Sequence, residues 1–180
     1  LDPVILPGVT NFDLAKIDNP VADKFVEVET DENGAMKNIR FKNTETFNFG
    51  FDVVDALAEK NPDKCALIYV ADNLEEKRFT FADIKKYSNQ TANYFRSMGI
   101  RKGDRVMLVL KRHYQFWFAI NALHKIGAIV IPATNQLVQH DFTYRFKAAD
   151  VKAIVCTGDG DVAHQVELAI EESGMNIIKM

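Results

Sequence analysis

Three times in this sequence a helical pattern closes on a glycine and gives way within a few residues to an aliphatic run: at Gly99, Gly127 and Gly174. A glycine in that place takes the left-handed conformation that lets the last helical carbonyls find donors. This recurrence constrains the chain more than any other feature. Strands that alternate with helices over short links pair in parallel, and their crossovers cover the sheet. The densest part runs from Gly103 to Cys156. There Arg105–Leu110 reads as a strand, Tyr114–Ile126 is apolar at helical spacing, Ala128–Ile131 is a second strand, Phe142–Ala149 a second helix and Ala153–Cys156 a third strand. The fold class that follows is α/β, a mostly parallel sheet flanked by helices on both faces.

Ahead of this core, a long helix opens at Thr80 or at the Ala82-Asp83 turn, with Ile84, Ser88, Ala92 and Phe95 on one side and Lys85, Asn89, Asn93 and Arg96 on the other. Cys65–Val70 reads as a buried strand, paired through Ala71-Asp72-Asn73 with a second strand at Arg78–Phe81. A helix over Phe51–Lys60 turns Phe51, Val54 and Ala58 inward and stops at Asn61-Pro62. Lys24–Thr30 and Met36–Phe41 alternate apolar and charged residues around Asp31-Glu32-Asn33-Gly34, which predicts a β-hairpin. Residues 1–22, with Pro3, Pro7 and Pro20, carry no period and predict an irregular arm. The organisation expected is an N-terminal arm with a β-hairpin over residues 1–45 and an αβ subdomain over 46–180. A start at Leu1 and an end at Met180 inside strand-like chemistry lead us to expect a piece of a longer chain.

Composition excludes several function classes. With 180 residues, 47% of them hydrophobic and 26% charged, the chain suits one well-buried domain plus an arm. A formal net charge of −3 creates no basic field, so no nucleic acid is expected as a partner. No window approaches the roughly 18 apolar residues of a membrane span, and the first residues lack the positive region of a signal peptide, which makes a cytoplasmic address the expectation. Cys65 and Cys156 each sit in an aliphatic run and read as small core residues rather than as a disulfide.

Few motifs carry chemistry. Thr157-Gly158-Asp159-Gly160-Asp161 lies between a strand and a helix, where a phosphate loop would sit, but it has no lysine and its two aspartates repel phosphate. We read it as a tight turn with Asp161 as helix N-cap. His113, His124, His140 and His164 lack ligand spacing, so no metal site is expected. His124 lies in the last turn of its helix, where a cation or a hydrogen bond to terminal carbonyls is the plain expectation. No GxSxG elbow supports a hydrolase triad. The helix holding Tyr114, Phe116, Trp117 and Phe118 is apolar nearly all round, which implies burial on more than one side, as core or as one wall of an apolar tunnel. Ile131-Pro132-Ala133-Thr134-Asn135-Gln136 leaves a strand at its carboxyl end, where open α/β sheets place ligands. It is read either as ordinary loop polarity or as neutral donors and acceptors for a ligand.

Five segments together resemble one family. They are FNFGFDVVD at Phe47–Asp55, RFTFADI at Arg78–Ile84, GDRVMLVLKR at Gly103–Arg112, HYQFWF at His113–Phe118 and IPATNQLVQHDFTYR at Ile131–Arg145. In order and spacing they are similar to the N-terminal region of AMP-forming acyl-CoA synthetases of the adenylate-forming superfamily, nearest the medium-chain type. The resemblance implies an enzyme that joins a carboxylic acid to the α-phosphate of ATP with Mg²⁺, releases pyrophosphate and passes the acyl group to CoA. It implies that Gln136, in Pro132-Ala133-Thr134-Asn135-Gln136, contacts CoA. The family's phosphate loop and catalytic lysine have no counterpart in this sequence, so no catalytic residue and no metal ligand is assigned. The carboxylic acid and CoA are then partners of a longer chain, and a homo-oligomer is compatible with the sequence. Lys111 departs from the pattern, since relatives often carry proline before the arginine. The alternatives are a stand-alone flavodoxin-like binding or signalling module, and an assembly surface built on the hairpin at Lys24–Phe41.

Overall fold

Residues 24–180 are described by the structure, a computed structural model. The irregular arm expected over residues 1–22 lies outside the described residues. The chain divides into two units, Leu1–Phe47 and Asn48–Met180.

In the first unit, β1 (Val26–Thr30) and β2 (Met36–Phe41) form the expected antiparallel hairpin, with Val26 opposite Phe41 and Val28 opposite Ile39. Asp31 closes the turn, its Oδ1 accepting from the backbone N–H groups of Asn33 and Ala35 at 2.9 Å each. One face of the hairpin carries Val28, Ile39 and Phe41, all exposed. The other carries Glu27, which faces Lys42 at 3.5 Å and Arg40 at 3.9 Å. Exposed pairs of this kind add little stability.

The second unit opens with a π-helical turn, Phe49–Asp55, that runs into α1 (Ala56–Lys60). A plain helix was the expectation. Asn48 sets the wider turn: its Oδ1 accepts from the N–H of Gly50 at 3.0 Å and of Phe51 at 3.3 Å, and its Nδ2 donates to the carbonyl of His124 at 2.7 Å. Val54 and Ala58 turn inward as the pattern predicts, but the π turn rotates Phe51 to a half-exposed position. Gly50 is required here, because a Cβ would fall 2.6 Å from Cγ of Lys125 and 3.1 Å from the carbonyl of Asn121.

Strands β3 (Cys65–Val70) and β4 (Glu76–Thr80) form a separate antiparallel pair. The buried strand expected at Cys65–Val70 is therefore corrected. A two-stranded sheet covered on one face leaves alternate side chains in solvent, and Cys65, Ile68 and Val70 are exposed. Both cysteines are free thiols, and Cys156 is half-buried. Next comes α2 (Phe81–Ser97), which starts at Thr80 through a reciprocal cap. The Asp83 N–H donates to Thr80 Oγ1 at 3.1 Å, and the Thr80 N–H donates to the Asp83 carboxylate at 2.9 Å.

The remaining elements are β5 (Arg105–Val109), α3 (Gln115–Ile126), β6 (Ile129–Pro132), α4 (Gln139–Ala149), β7 (Ala153–Cys156), α5 (Val162–Ser173) and the short β8 (Ile178–Lys179). The strands form one parallel sheet in the order β6-β5-β7-β8. Central β5 divides the core by its own alternation. Val106 and Leu108 pack with Phe95 of α2 and with Ala119 and Leu123 of α3. Met107 and Val109 pack on the opposite face with Phe142 and Phe146 of α4 and with Val162 and Val166 of α5. The α2, α3 and α5 stops at Gly99, Gly127 and Gly174 all have positive φ, at 90°, 78° and 68°. Helix α3 is buried on two sides as expected, through Ala119 on the sheet and through Phe118, whose ring lies 5.0 Å from Tyr87 and 5.4 Å from Phe79. Trp117 is the exception and stands half exposed.

One polar cluster lies inside this packing. The Lys125 side chain is 2% exposed and its ammonium donates to Asp55 Oδ1 at 2.7 Å, Ser88 Oγ at 2.9 Å and Asn89 Oδ1 at 2.7 Å. An ammonium has three N–H groups, so every one is used. The cluster ties α3 to α2 and to the π turn.

Candidate functional site

The strand order dictates where a ligand fits. From β5 the chain crosses by α3 to β6 on one side, then returns by α4 past β5 to β7 on the other. The loops after β5 and β7 therefore diverge over opposite faces of the sheet, and the crevice beyond their carboxyl ends is where open α/β sheets bind ligands. Beside it, between the β6 and β7 exits, a cleft of about 190 Å³ opens. One wall carries Asn135 and Gln136 from the β6 exit, and the other carries Asp159, Gly160 and Asp161 from the β7 exit, with Lys111 from the β5 exit beside them.

Each wall is positioned by its backbone. The Ala133 N–H still donates to the Leu108 carbonyl at 2.9 Å, so the β6 exit remains fixed to β5. Pro132 then ends the strand, and the Gln136 N–H donates to Thr134 Oγ1 at 3.3 Å. Gln136 is exposed on the cleft. Its planar amide offers two donors and an acceptor. On the other wall, the Thr157 N–H donates to the Val109 carbonyl at 3.0 Å, and the Asp159 N–H donates to Thr157 Oγ1 at 3.1 Å. Gln165 joins the walls: its Nε2 donates to Asp161 Oδ2 at 2.7 Å, and its Oε1 accepts from the Gln139 N–H at 2.7 Å.

Two expectations are corrected at this end of the sheet and at the far end of α3. Asp161 sits at the N-cap position of α5, but its side chain makes no capping bond and accepts from Gln165 instead. The His124 side chain does not serve the end of α3. Its ring is packed edge-on to Phe49 at 5.6 Å, its Nδ1 is buried without a partner among the described residues, and burial pushes its pKa down. Asn48 takes the terminal carbonyl instead.

His113, set aside in the sequence for lack of ligand spacing, is the side chain at the crevice that local reading misses. Its Nε2 lies 3.0 Å from Thr157 Oγ1 and 2.9 Å from Asp159 Oδ2, across 44 residues of chain for the threonine contact. The one available signal was topological, since parallel pairing of β5 with β7 brings their exits together. Among the described residues, no group of three or more His, Cys, Asp or Glu side chains is arranged to hold a metal. No helix among them is long and apolar enough to cross a membrane.

The profile of the AMP-binding enzyme family matches residues 54–178. Among curated relatives, the mitochondrial acyl-coenzyme A synthetase ACSM5 of Rattus norvegicus is 36% identical over 126 residues, which are 67% of this chain and 22% of that protein. The crotonobetaine/carnitine–CoA ligase of Salmonella paratyphi A is 39% identical over 101 residues, 56% of this chain and 20% of that protein. The chain thus spans about a fifth of the length of these relatives. Among solved structures, the fatty acyl CoA synthetase of Mycobacterium tuberculosis has a TM-score of 0.63 at 22% identity, over 74% of this chain and 26% of that one. The N-terminal subdomain of Klebsiella oxytoca NpsA gives 0.59 at 19% identity, over 72% and 30%. At these identities the structural likeness speaks for the fold. The stand-alone flavodoxin-like module gains no support from these relatives. By the match across most of its length, the chain belongs to the AMP-binding enzyme family.

Proposed function

We propose that the chain supplies the first αβ subdomain of an ATP-dependent acyl-CoA synthetase. That enzyme activates a carboxylic acid, from acetate to a medium-chain fatty acid, as its acyl-adenylate and transfers the acyl group to CoA. The cleft chemistry carries this reading. Its walls offer the amides of Asn135 and Gln136 and the carboxylates of Asp159 and Asp161. Such a lining suits the neutral, amide-bearing arm of CoA: Gln136 donates to an amide carbonyl, and its oxygen accepts an amide N–H. When bound, CoA supplies the thiol that accepts the acyl group.

The same lining gives a triphosphate no cradle, since among the described residues its two carboxylates outnumber its one cation, Lys111. Adenylation is therefore assigned to no residue of this chain, and the 180 residues alone are expected to be inactive. Mapping amide NMR shifts during a millimolar CoA titration tests the reading. Shifts should concentrate at residues 133–136, and Gln136→Ala should weaken binding about fivefold to tenfold, the size of one or more lost hydrogen bonds. Shifts that avoid these residues would overturn the CoA assignment. Robust acyl-CoA formation by the chain with ATP, Mg²⁺, CoA and short to medium fatty acids would overturn the assignment of catalysis to other segments.

A further inference from the structure

The cleft has two walls on different loops, and something must hold their spacing. On the β6 side the backbone does so, through the bond from Ala133 to Leu108. On the β7 side the backbone bond from Thr157 to Val109 anchors only the start of the turn, which then passes through Gly160 at a φ of +71° before α5 begins. Among the described residues, only one side chain outside the turn is bonded to Thr157 and Asp159, and it is His113.

We propose that His113 is a positioning residue that fastens the Thr157–Asp161 turn to the β5 exit and so sets the acidic wall of the cleft opposite Gln136. The chemistry of the contact is directional. A carboxylate only accepts, so with Asp159 Oδ2 at 2.9 Å, Nε2 of His113 carries a proton. The same N–H lies 3.0 Å from Thr157 Oγ1, which already accepts from the Asp159 N–H. The imidazole thereby closes a small ring of bonds around a hydroxyl on a buried residue, Thr157 being 6% exposed. Its own backbone is anchored independently, since the His113 N–H donates to the Leu110 carbonyl at 2.9 Å. A second effect is electrostatic. Asp159 bonded to an imidazole N–H presents less uncompensated negative charge to the cleft than Asp159 alone, while Lys111 flanks the same space. The consequence for ligand binding rests on the CoA reading above. The fastening of the turn does not.

The test uses the whole 180-residue chain and reads amide hydrogen exchange and NMR shifts, with pantetheine as the probe. In His113→Ala the Asp159 amide should exchange about fivefold to tenfold faster, as expected when one or two hydrogen bonds no longer hold it, and the 157–161 shifts should change together. His113→Gln, which keeps an N–H donor at similar reach, should restore both. Asp159→Ala removes the carboxylate that the imidazole holds while keeping the Thr157 hydroxyl, and should likewise speed exchange at the 159 amide once corrected for the side-chain change, which keeps the proposal testable if His113→Ala folds poorly. Pantetheine shifts at Asn135 and Gln136 should weaken severalfold in His113→Ala and recover in His113→Gln. If exchange across the turn in both His113→Ala and Asp159→Ala matches the wild type, His113 fastens nothing and the proposal fails. If it changes as described while pantetheine leaves even the wild-type cleft unperturbed, the positioning role stands and the CoA reading is the one that falls.

Discussion

Replacing Asp55 by alanine should be among the most damaging single changes in the second unit. The carboxylate lies 2.7 Å from an ammonium whose side chain is 2% exposed, and it is itself only 10% exposed. At that separation, with an effective dielectric constant of about 20, the Coulomb attraction is about 6 kcal/mol before desolvation is subtracted. Removing one member leaves a buried ammonium held by two neutral oxygens, of Ser88 and Asn89, and such losses cost about 3–5 kcal/mol. Against a total stability of about 5–15 kcal/mol this is a large fraction. With a urea m-value of about 2 kcal/mol per molar, the midpoint should fall by about 1.5–2.5 M in circular-dichroism unfolding curves. The decisive arm is the double variant Asp55→Leu/Lys125→Met. It removes both charges, and Ser88 keeps its bond to the Lys85 carbonyl at 3.1 Å, so the double variant should lie within about 1–2 kcal/mol of the wild type. A cost below about 1 kcal/mol for Asp55→Ala, or a double variant whose loss equals the sum of the singles, would refute the view that an unpaired buried charge is what hurts.

Two further changes test the corrected features. Burial lowers the pKa of His124, so the unfolded chain binds its proton more readily than the folded one; its contribution is intact above the ordinary imidazole range and is lost as pH falls through it. Urea stability of His124→Leu should consequently fall less than that of the wild type between about pH 7 and pH 5, and parallel profiles would contradict the neutral packing against Phe49. Lys111 holds a φ of +51°, which an L-residue adopts at a cost and a proline ring forbids. Lys111→Gly should raise stability slightly, by about 0.5–1 kcal/mol, and Lys111→Pro should lower it by about 2 kcal/mol or more, both read from the shift of the thermal unfolding midpoint; a neutral proline variant would show that this turn is not left-handed.

What could be read in the sequence was whatever depends on near neighbours. The aliphatic run at Val106–Val109 is buried on both faces because its strand is central, and it shows as a run without polar interruption. Thr80 with Asp83 and the glycines at 99, 127 and 174 mark helix ends because a cap is a contact within a few residues. Gln136 was placed at the mouth of the sheet by the strand that precedes it. Phe51 and Cys65–Val70 were misread for a related reason: their hydrophobicity was visible, but whether anything covers them depends on a π turn set by Asn48 and on a sheet that stops at two strands.

The polar contacts that define the second unit were illegible for a stricter reason. Lys125 reaches Asp55 across 70 residues and Ser88 across 37, and His113 reaches Thr157 across 44. No periodicity or spacing encodes a pair that only the closed fold brings within 3 Å. The two clusters nevertheless differ in what they demand of the fold. The buried ammonium is saturated by three acceptors and joins elements already packed together, so its disruption should register as lost stability throughout the unit. The imidazole joins two loop exits at the rim of an open cleft, where little apolar packing depends on it. Its disruption should leave the sheet and helices intact and register at the Thr157–Asp161 turn alone. A cluster of that second kind controls the shape of a site without controlling whether the protein folds, and that separation makes His113, rather than Lys125, the residue through which the cleft can be altered on its own.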